Sequence, residues 1–423
     1  MNAVMDAPGK SNNAYQHVYE QFLIDGAFLW LLRSIAVNQP HYKQQDLLEL
    51  EQRIDAQLNG LMTAPEQAWS ICEEALVSTE EPGEAFAAAV LAFRSLDIQK
   101  IQRVIEISLP AENAFPGLAS ALAWLPGRIC HSWIKKFLTS KDLNHKYLAV
   151  TVCSLRREDP REYLDKILQR EDCLAHAKLY ARAIRLVGEL KRRDLIPALH
   201  LAITSENPEV SFWANWSAVI LGDRARLHNL QQTVLNDGVF QKKAIDLAFR
   251  GLPIEDARQW IGLLAKDKKN AREVIYATAV LGDPQAVPWL IQQMRMPEFS
   301  RVSGEAFTTI TGIELEQNGL ALEALPDLDN RFPDDDINDN TDLDMDEHLP
   351  FPDVDKVAAV WQKYQQHFIA GKRYFLGKAI EIEHLKHQFL QGAQRHRRAA
   401  ALELALLQPD HFLPNYKAKV IFD

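Results

Sequence analysis

Apolar residues recur along this chain at helical spacing, and the helices they predict recur in turn. Val210, Trp213, Ala214 and Ser217 make one narrow face after Asn207-Pro208, a pair suited to start a helix: Asn can cap it, and Pro fits its first position. That helix stops at Gly222, and a second carries Leu227, Leu230 and Val234. The next unit has Phe240, Ala244, Leu247 and Ala248, a stop at Gly251, then Ile261 and Leu264. The one after has Ile275 and Ala279, a stop at Gly282, and Asp283-Pro284 opening a helix with Val287, Leu290, Ile291 and Met294. No strand-like alternation competes with this pattern.

The stops themselves are periodic. Gly188, Gly222, Gly251, Gly282 and Gly312 stand 34, 29, 31 and 30 residues apart, and Leu-Gly-Asp recurs at 221–223 and 281–283. Glycine at such a stop suits the left-handed residue that closes a helix. Weaker copies lie upstream at Ser154–Pro160, Trp124–Gly127 and Phe93–Asp97. The pattern predicts an all-α solenoid of seven or eight helix pairs over residues 64–325, in which stacking of neighbours makes the core. Residues 14–63 read as a helical cap, the face of its second helix marked by Leu47, Leu50, Ile54, Leu58 and Leu61. Residues 1–13 are expected to be disordered.

After Leu325 the periodicity breaks. Residues 326–353 are rich in Asp, Asn and Pro and predict a long surface loop, partly disordered. Residues 354–423 form a C-terminal helical module, with one helix expected over Val354–Phe368 and another over Glu383–Leu407.

Charge sharpens this division. The chain of 423 residues carries a formal charge of −10, but Asp327–Glu347 alone carries −9, so the remainder is nearly neutral. From Gly371 to the end the balance is +4. Hydrophobic residues are 47% and charged residues 25%, an ordinary globular composition. Cys72, Cys130, Cys153 and Cys173 are widely spaced and read as reduced thiols in a cytoplasmic protein. Polar Met1–Asn13, with Asp6 where a basic region would stand, does not resemble a signal peptide, and the apolar stretch Phe22–Val37 is too short to span a bilayer.

One group of residues resembles a known family. Gly304-Glu305-Ala306-Phe307 with Ile310-Thr311-Gly312, the acidic loop, Gly371-Lys372-Arg373-Tyr374 with Leu376-Gly377, and the Arg397–Leu404 run look like a bacterial family of HEAT-like repeat proteins. Its members are often encoded beside type VI secretion components, and their biochemical function is not established. The resemblance covers most of the chain and supplies no catalytic residues. It implies a secretion-associated role in a bacterium.

Candidate chemistry is sparse. Asp334, Asp335, Asp336, Asp342, Asp344, Asp346 and Glu347 offer calcium-type oxygens, but an EF-hand register from Asp336 has Thr341 where glycine is needed. His384 and His387 share a helix without a third ligand at a telling spacing. No phosphate-binding loop or nucleophile elbow occurs, so no catalytic residue, metal or cofactor is assigned. Basic residues gather near successive turns: Arg128, Arg156, Arg157, Lys191, Arg192, Arg193, Arg224, Arg226 and Arg250. Lined up by stacking, they would form a basic ridge for an acidic partner or for the chain's own acidic loop. Equally, turns are exposed, and helix C-termini favour cations. The expected function is a non-enzymatic protein-binding scaffold, an adaptor or chaperone for a secretion effector or apparatus component. The alternatives are an immunity protein that plugs a toxin and a HEAT-like nucleic-acid binder, the latter disfavoured by the near-neutral body. Oligomeric state stays open.

Overall fold

The computed structural model describes residues 15–323 and 346–420. Residues 1–13 and most of the acidic stretch, including Asp334, Asp335, Asp336, Asp342 and Asp344, therefore lie outside the described residues. Within them the chain is an all-α, solenoid-like helical repeat. Eight successive helix pairs run from Pro65 to Thr311, and the only strands described are Tyr374–Phe375 and Lys378–Ala379. No described helix is long and apolar enough to cross a membrane.

The chain divides into two compact units, Met1–Ala214 with Gln391–Arg395 and Phe412–Asp423, and Asn215–Leu390 with His396–His411. In the first unit the cap helices Gln16–Ala36 and Gln44–Leu61 pack together, and the first also covers Pro82–Ser95. Leu47, Leu50, Ile54, Leu58 and Leu61, the expected face, are all buried. Helices Pro82–Ser95, Phe115–Trp124, Leu143–Arg156 and Ala177–Glu189 then stack in succession. The first two approach so closely that a Cβ at Gly117 would stand 2.0 Å from the Pro82 carbonyl oxygen. Residues 85–93 are all buried, which accounts for their run of alanines: a helix packed on every side has little room for larger groups.

In the second unit Gln241–Gly251, Ala271–Leu281 and Pro297–Thr311 stack likewise, and Val354–Tyr364 packs on Val287–Gln293. Ile275, Val287, Leu290, Phe307, Ile310, Val357 and Trp361 share one core. The acidic stretch leaves and returns through a small clasp: Leu322 N donates to Phe351 O at 2.8 Å, and Asp353 N to Leu320 O at 2.7 Å.

The local signals are realised unevenly. Asn207 Oδ1 accepts from Glu209 N and Val210 N at 3.0 and 3.1 Å, the cap its sequence predicts. Gly222, Gly282 and Gly312 are left-handed at φ +108°, +73° and +70°. Gly188 and Gly251, by contrast, are not left-handed: Gly188 lies one residue before the end of Ala177–Glu189, and Gly251 is the last residue of Gln241–Gly251. In the first of these units Lys191 takes the left-handed turn at φ +56°. At Gly251 the small residue serves packing, since a Cβ would meet Arg224 Nη1 at 2.7 Å and Leu227 Cδ1 at 2.9 Å. The helix expected over Glu383–Leu407 is two helices, Ile382–Gln391 and Gln394–Leu407, broken beside Gly392.

Candidate functional site

Of the turn-edge cations of the first unit, Arg156, Arg157 and Arg192 are engaged by the chain itself. Arg156 donates to the Ala123 and Leu125 carbonyls at 2.9 and 2.8 Å and pairs with Glu158 at 2.8 Å. Arg157, left-handed at φ +57°, pairs with Glu189 at 2.6 Å. Arg192 faces three carboxylates, Asp159, Asp165 and Asp194, at 3.0, 2.6 and 2.6 Å. Arg128 and Arg193 are exposed, and Lys191 is buried. In the second unit Arg224 donates to Leu406 O at 2.9 Å, Arg226 pairs with Asp223 at 3.1 Å and Arg250 with Asp246 at 2.9 Å. These residues close helix ends and answer carboxylates, as cations at helix C-termini do.

The acidic stretch, where described, meets other residues. Asp346 is buried and pairs with Arg272 at 2.8 Å, and its carbonyl accepts from Arg301 at 3.0 Å; Glu347 is exposed. His384 is bonded through Nε2 to Phe375 O at 2.8 Å, while His387 is exposed. Among the described residues no three His, Cys, Asp or Glu side chains cluster as a metal site.

What the turn edge of the first unit does hold is an irregular segment of polypeptide, with a turn at Tyr416 and Lys417. Residues 413–420 cross the ends of successive repeat helices. Leu413 N donates to Glu189 O at 3.0 Å, Arg157 Nε donates to Leu413 O at 3.4 Å, and Asn415 Nδ2 donates to Leu155 O at 2.7 Å. Farther along, Arg33 Nη2 donates to the Lys417 and Ala418 carbonyls at 2.9 and 3.2 Å. The Lys419 ammonium lies 4.3 Å from the Trp124 ring centre and pairs with Asp55 at 2.6 Å. Val420 N donates to Glu51 Oε2 at 2.7 Å. Leu413 and Val420 are the buried anchors at either end. Most of these bonds go to backbone, and the side-chain selectivity is for a cation at the Asp55 end.

Each carboxylate there is fixed from behind. Glu51 is buried and held by Arg33 at 2.8 Å; Asp55 also accepts Trp124 Nε1 at 2.9 Å. Lys419→Glu would set a carboxylate against Asp55. We expect faster amide exchange over 413–420 in this variant, with stability changed by only about 1 kcal/mol, because the pair is part-exposed. Hydrogen-exchange mass spectrometry reads it.

Two buried ionic clusters set this frame. In the first unit Glu189 is fully buried. Burial alone would raise its carboxyl, but Arg157, Arg185, Arg182 and the Ser154 hydroxyl override it and hold it at about 2. In the second unit burial likewise opposes ionisation of Asp246, and Arg398, Arg250, the Tyr276 hydroxyl and Lys242 hold it below the usual carboxylate range. Tyr276 donates to Asp246 Oδ1 at 2.6 Å, and Arg398 pairs with Oδ2. Arg373 pairs with Glu403 and donates to the Arg250 and Leu281 carbonyls at 2.8 and 2.9 Å.

The segment around Arg373 is a hairpin that seals two helix ends. Its turn, Leu376-Gly377, has φ +49° and +79°, as a tight two-residue hairpin turn requires. Tyr374 N donates to Gly282 O at 2.8 Å, Leu376 N to Thr309 O at 2.7 Å and Gly377 N to Ile310 O at 3.1 Å. A Cβ at Gly282 would stand 2.2 Å from Tyr374 O, at a φ that already disfavours side chains. Gly282→Ala should therefore cost about 2 kcal/mol in denaturant unfolding and deprotect the Tyr374 amide.

The fold and this edge define a class: an all-α helical-repeat protein that holds a non-helical segment of its own chain across helix ends. No protein family, no curated protein and no solved structure matches the chain.

Proposed function

We propose that the chain is a non-enzymatic, cytoplasmic protein-binding scaffold, an adaptor or chaperone for a type VI secretion effector or apparatus component. The observation that carries the reading is the capture of residues 413–420 by the first unit. A row of helix ends that bonds the backbone of one segment can bond that of another, and side chains such as Asp55 and Glu51 supply a preference for cations. The pairing of Arg156, Arg157, Arg192 and Arg250 with carboxylates weakens their pull on phosphate, which favours a protein partner over a nucleic acid. The secretion context rests on the family resemblance alone.

The test is titration calorimetry of the purified full chain against each protein encoded beside it. The reading expects one of them to bind with a dissociation constant of about 1 μM or tighter. Asp55→Asn should weaken that binding by about tenfold. Absence of binding to every secretion component, or rescue of a toxin's lethality by this chain alone, would replace the adaptor reading, the second outcome by immunity.

A further inference from the structure

Helix Gly127–Thr139 presents Arg128, His131, Lys135 and Thr139 on one exposed face, at the three- and four-residue spacing that aligns side chains along a helix. Lys136 is exposed beside them, and Lys141 is exposed two residues past the helix end. In a chain of net charge −10, residues 113–141 hold four Lys and Arg side chains and no Asp or Glu.

Elsewhere in the first unit such cations meet carboxylates: Arg103 pairs with Glu73 at 2.7 Å, Lys178 with Glu112 at 2.7 Å and Arg170 with Asp172 at 2.5 Å. On this strip only His131 does so among the described residues, with Glu158 at 3.1 Å. Arg128, Lys135 and Lys141 make no side-chain hydrogen bond or ion pair there. The lysines are not needed to close the helix either. Thr139 Oγ1 donates to the Lys135 and Lys136 carbonyls at 3.0 and 3.1 Å, Ser140 N to Phe137 O at 3.2 Å, and the buried Lys146 Nζ to Leu138 O at 2.6 Å. The terminal carbonyls that would otherwise draw cations are thus already answered.

We propose that this strip is a docking surface for an acidic segment of a partner polypeptide, whose Asp and Glu side chains pair with Lys135, Lys136 and Lys141. Ammonium groups on flexible stems take carboxylates without demanding one geometry, so the surface reads charge. Its dimensions favour polypeptide over nucleic acid. Arg128 to Lys136 spans about 12 Å of helix, room for a few carboxylates. Asp142 follows Lys141, and Glu158 stands at His131, so a longer run of phosphates meets like charge. Trp133, the aromatic of the strip, carries the Lys136 ammonium over its ring at 4.0 Å and packs on Phe93 and Phe137, so it holds a lysine in place of stacking a base. The proposal does not depend on what the edge at residues 413–420 captures.

The experiment is fluorescence anisotropy of a labelled decaglutamate peptide with the full chain at about 20 mM salt, where screening is weak. Saturable binding is expected. The triple variant Lys135→Gln, Lys136→Gln, Lys141→Gln should weaken it at least about tenfold, and each single change about twofold. Lys266→Gln, Lys268→Gln, Lys269→Gln removes as many exposed charges from the second unit and should leave binding within about twofold of the parent. Both triple variants should melt within about 2 °C of the parent, because surface substitutions change stability little. The proposal is overturned if decaglutamate does not bind, if the strip variants bind it as the parent does, if the second-unit variant loses as much, or if a single-stranded oligonucleotide binds more tightly through the same three lysines.

Discussion

Glu189→Gln should lower the stability of the folded chain by about 3–5 kcal/mol, the cost of breaking a buried ion pair from one side. Glu189 is fully buried, and its carboxylate is the acceptor for Arg157 and Arg185. Glutamine keeps the volume but not the charge, and leaves those two guanidiniums and Arg182 facing one another. The effect should also reach the C-terminal segment, since Arg157 donates to Leu413 O. Acid should reproduce part of it. The folded carboxyl, at about 2, lies below its ordinary value of 4.5. Its contribution is thus fully present above that ordinary value and is lost as pH falls toward 2, an amount of about 3 kcal/mol. Calorimetric melts of parent and variant between pH 7 and pH 3 should converge as acid removes what the substitution already removed.

Asp246→Asn should cost about 3 kcal/mol in the second unit for the same reason. Asp246 receives Arg250 and Arg398 and the Tyr276 hydroxyl. Arg398 stands on the helix Gln394–Leu407, so the loss should appear there as faster amide exchange. The double variant Asp246→Asn, Arg398→Gln should cost less than the two single changes added, because the second removes a charge the first left unanswered. Additive costs would mean that the two groups do not act on each other.

These two clusters mark the boundary of what the sequence makes legible. Local signals carry the repeat: the Asn207-Pro208 start, the left-handed Gly222, Gly282 and Gly312, and the apolar face from Leu47 to Leu61 all act within a turn or two of the helix they shape. Gly188 and Gly251 show the limit of periodicity, because equal spacing does not distinguish a glycine that turns left-handed past a helix from one that keeps the helical conformation at its end. In the sequence Arg157 and Arg250 read as surface cations. Their partners Glu189 and Asp246 were not evident, since a carboxylate on a helix reads the same whether it meets water or an arginine of the next repeat. Arg373, Arg398 and Glu403 fall within the family-like motifs, and in the structure they join the hairpin and the helix Gln394–Leu407 to the repeats of the second unit. The path of residues 413–420 had no sequence signal at all: it has no periodicity, and its contacts with Glu51 and Asp55 span more than 360 residues.

The most direct test of the scaffold reading is peptide binding in trans. A labelled synthetic peptide with the sequence of residues 410–423 is titrated into the full-length parent and into the Lys419→Glu variant, whose own segment is loosened. A tethered segment competes at an effective concentration of about millimolar, so the parent should bind the free peptide weakly and the variant at least about tenfold more tightly. No binding to the variant, with its amides over 413–420 shown to be exchanging freely, would contradict an edge built to hold a polypeptide segment.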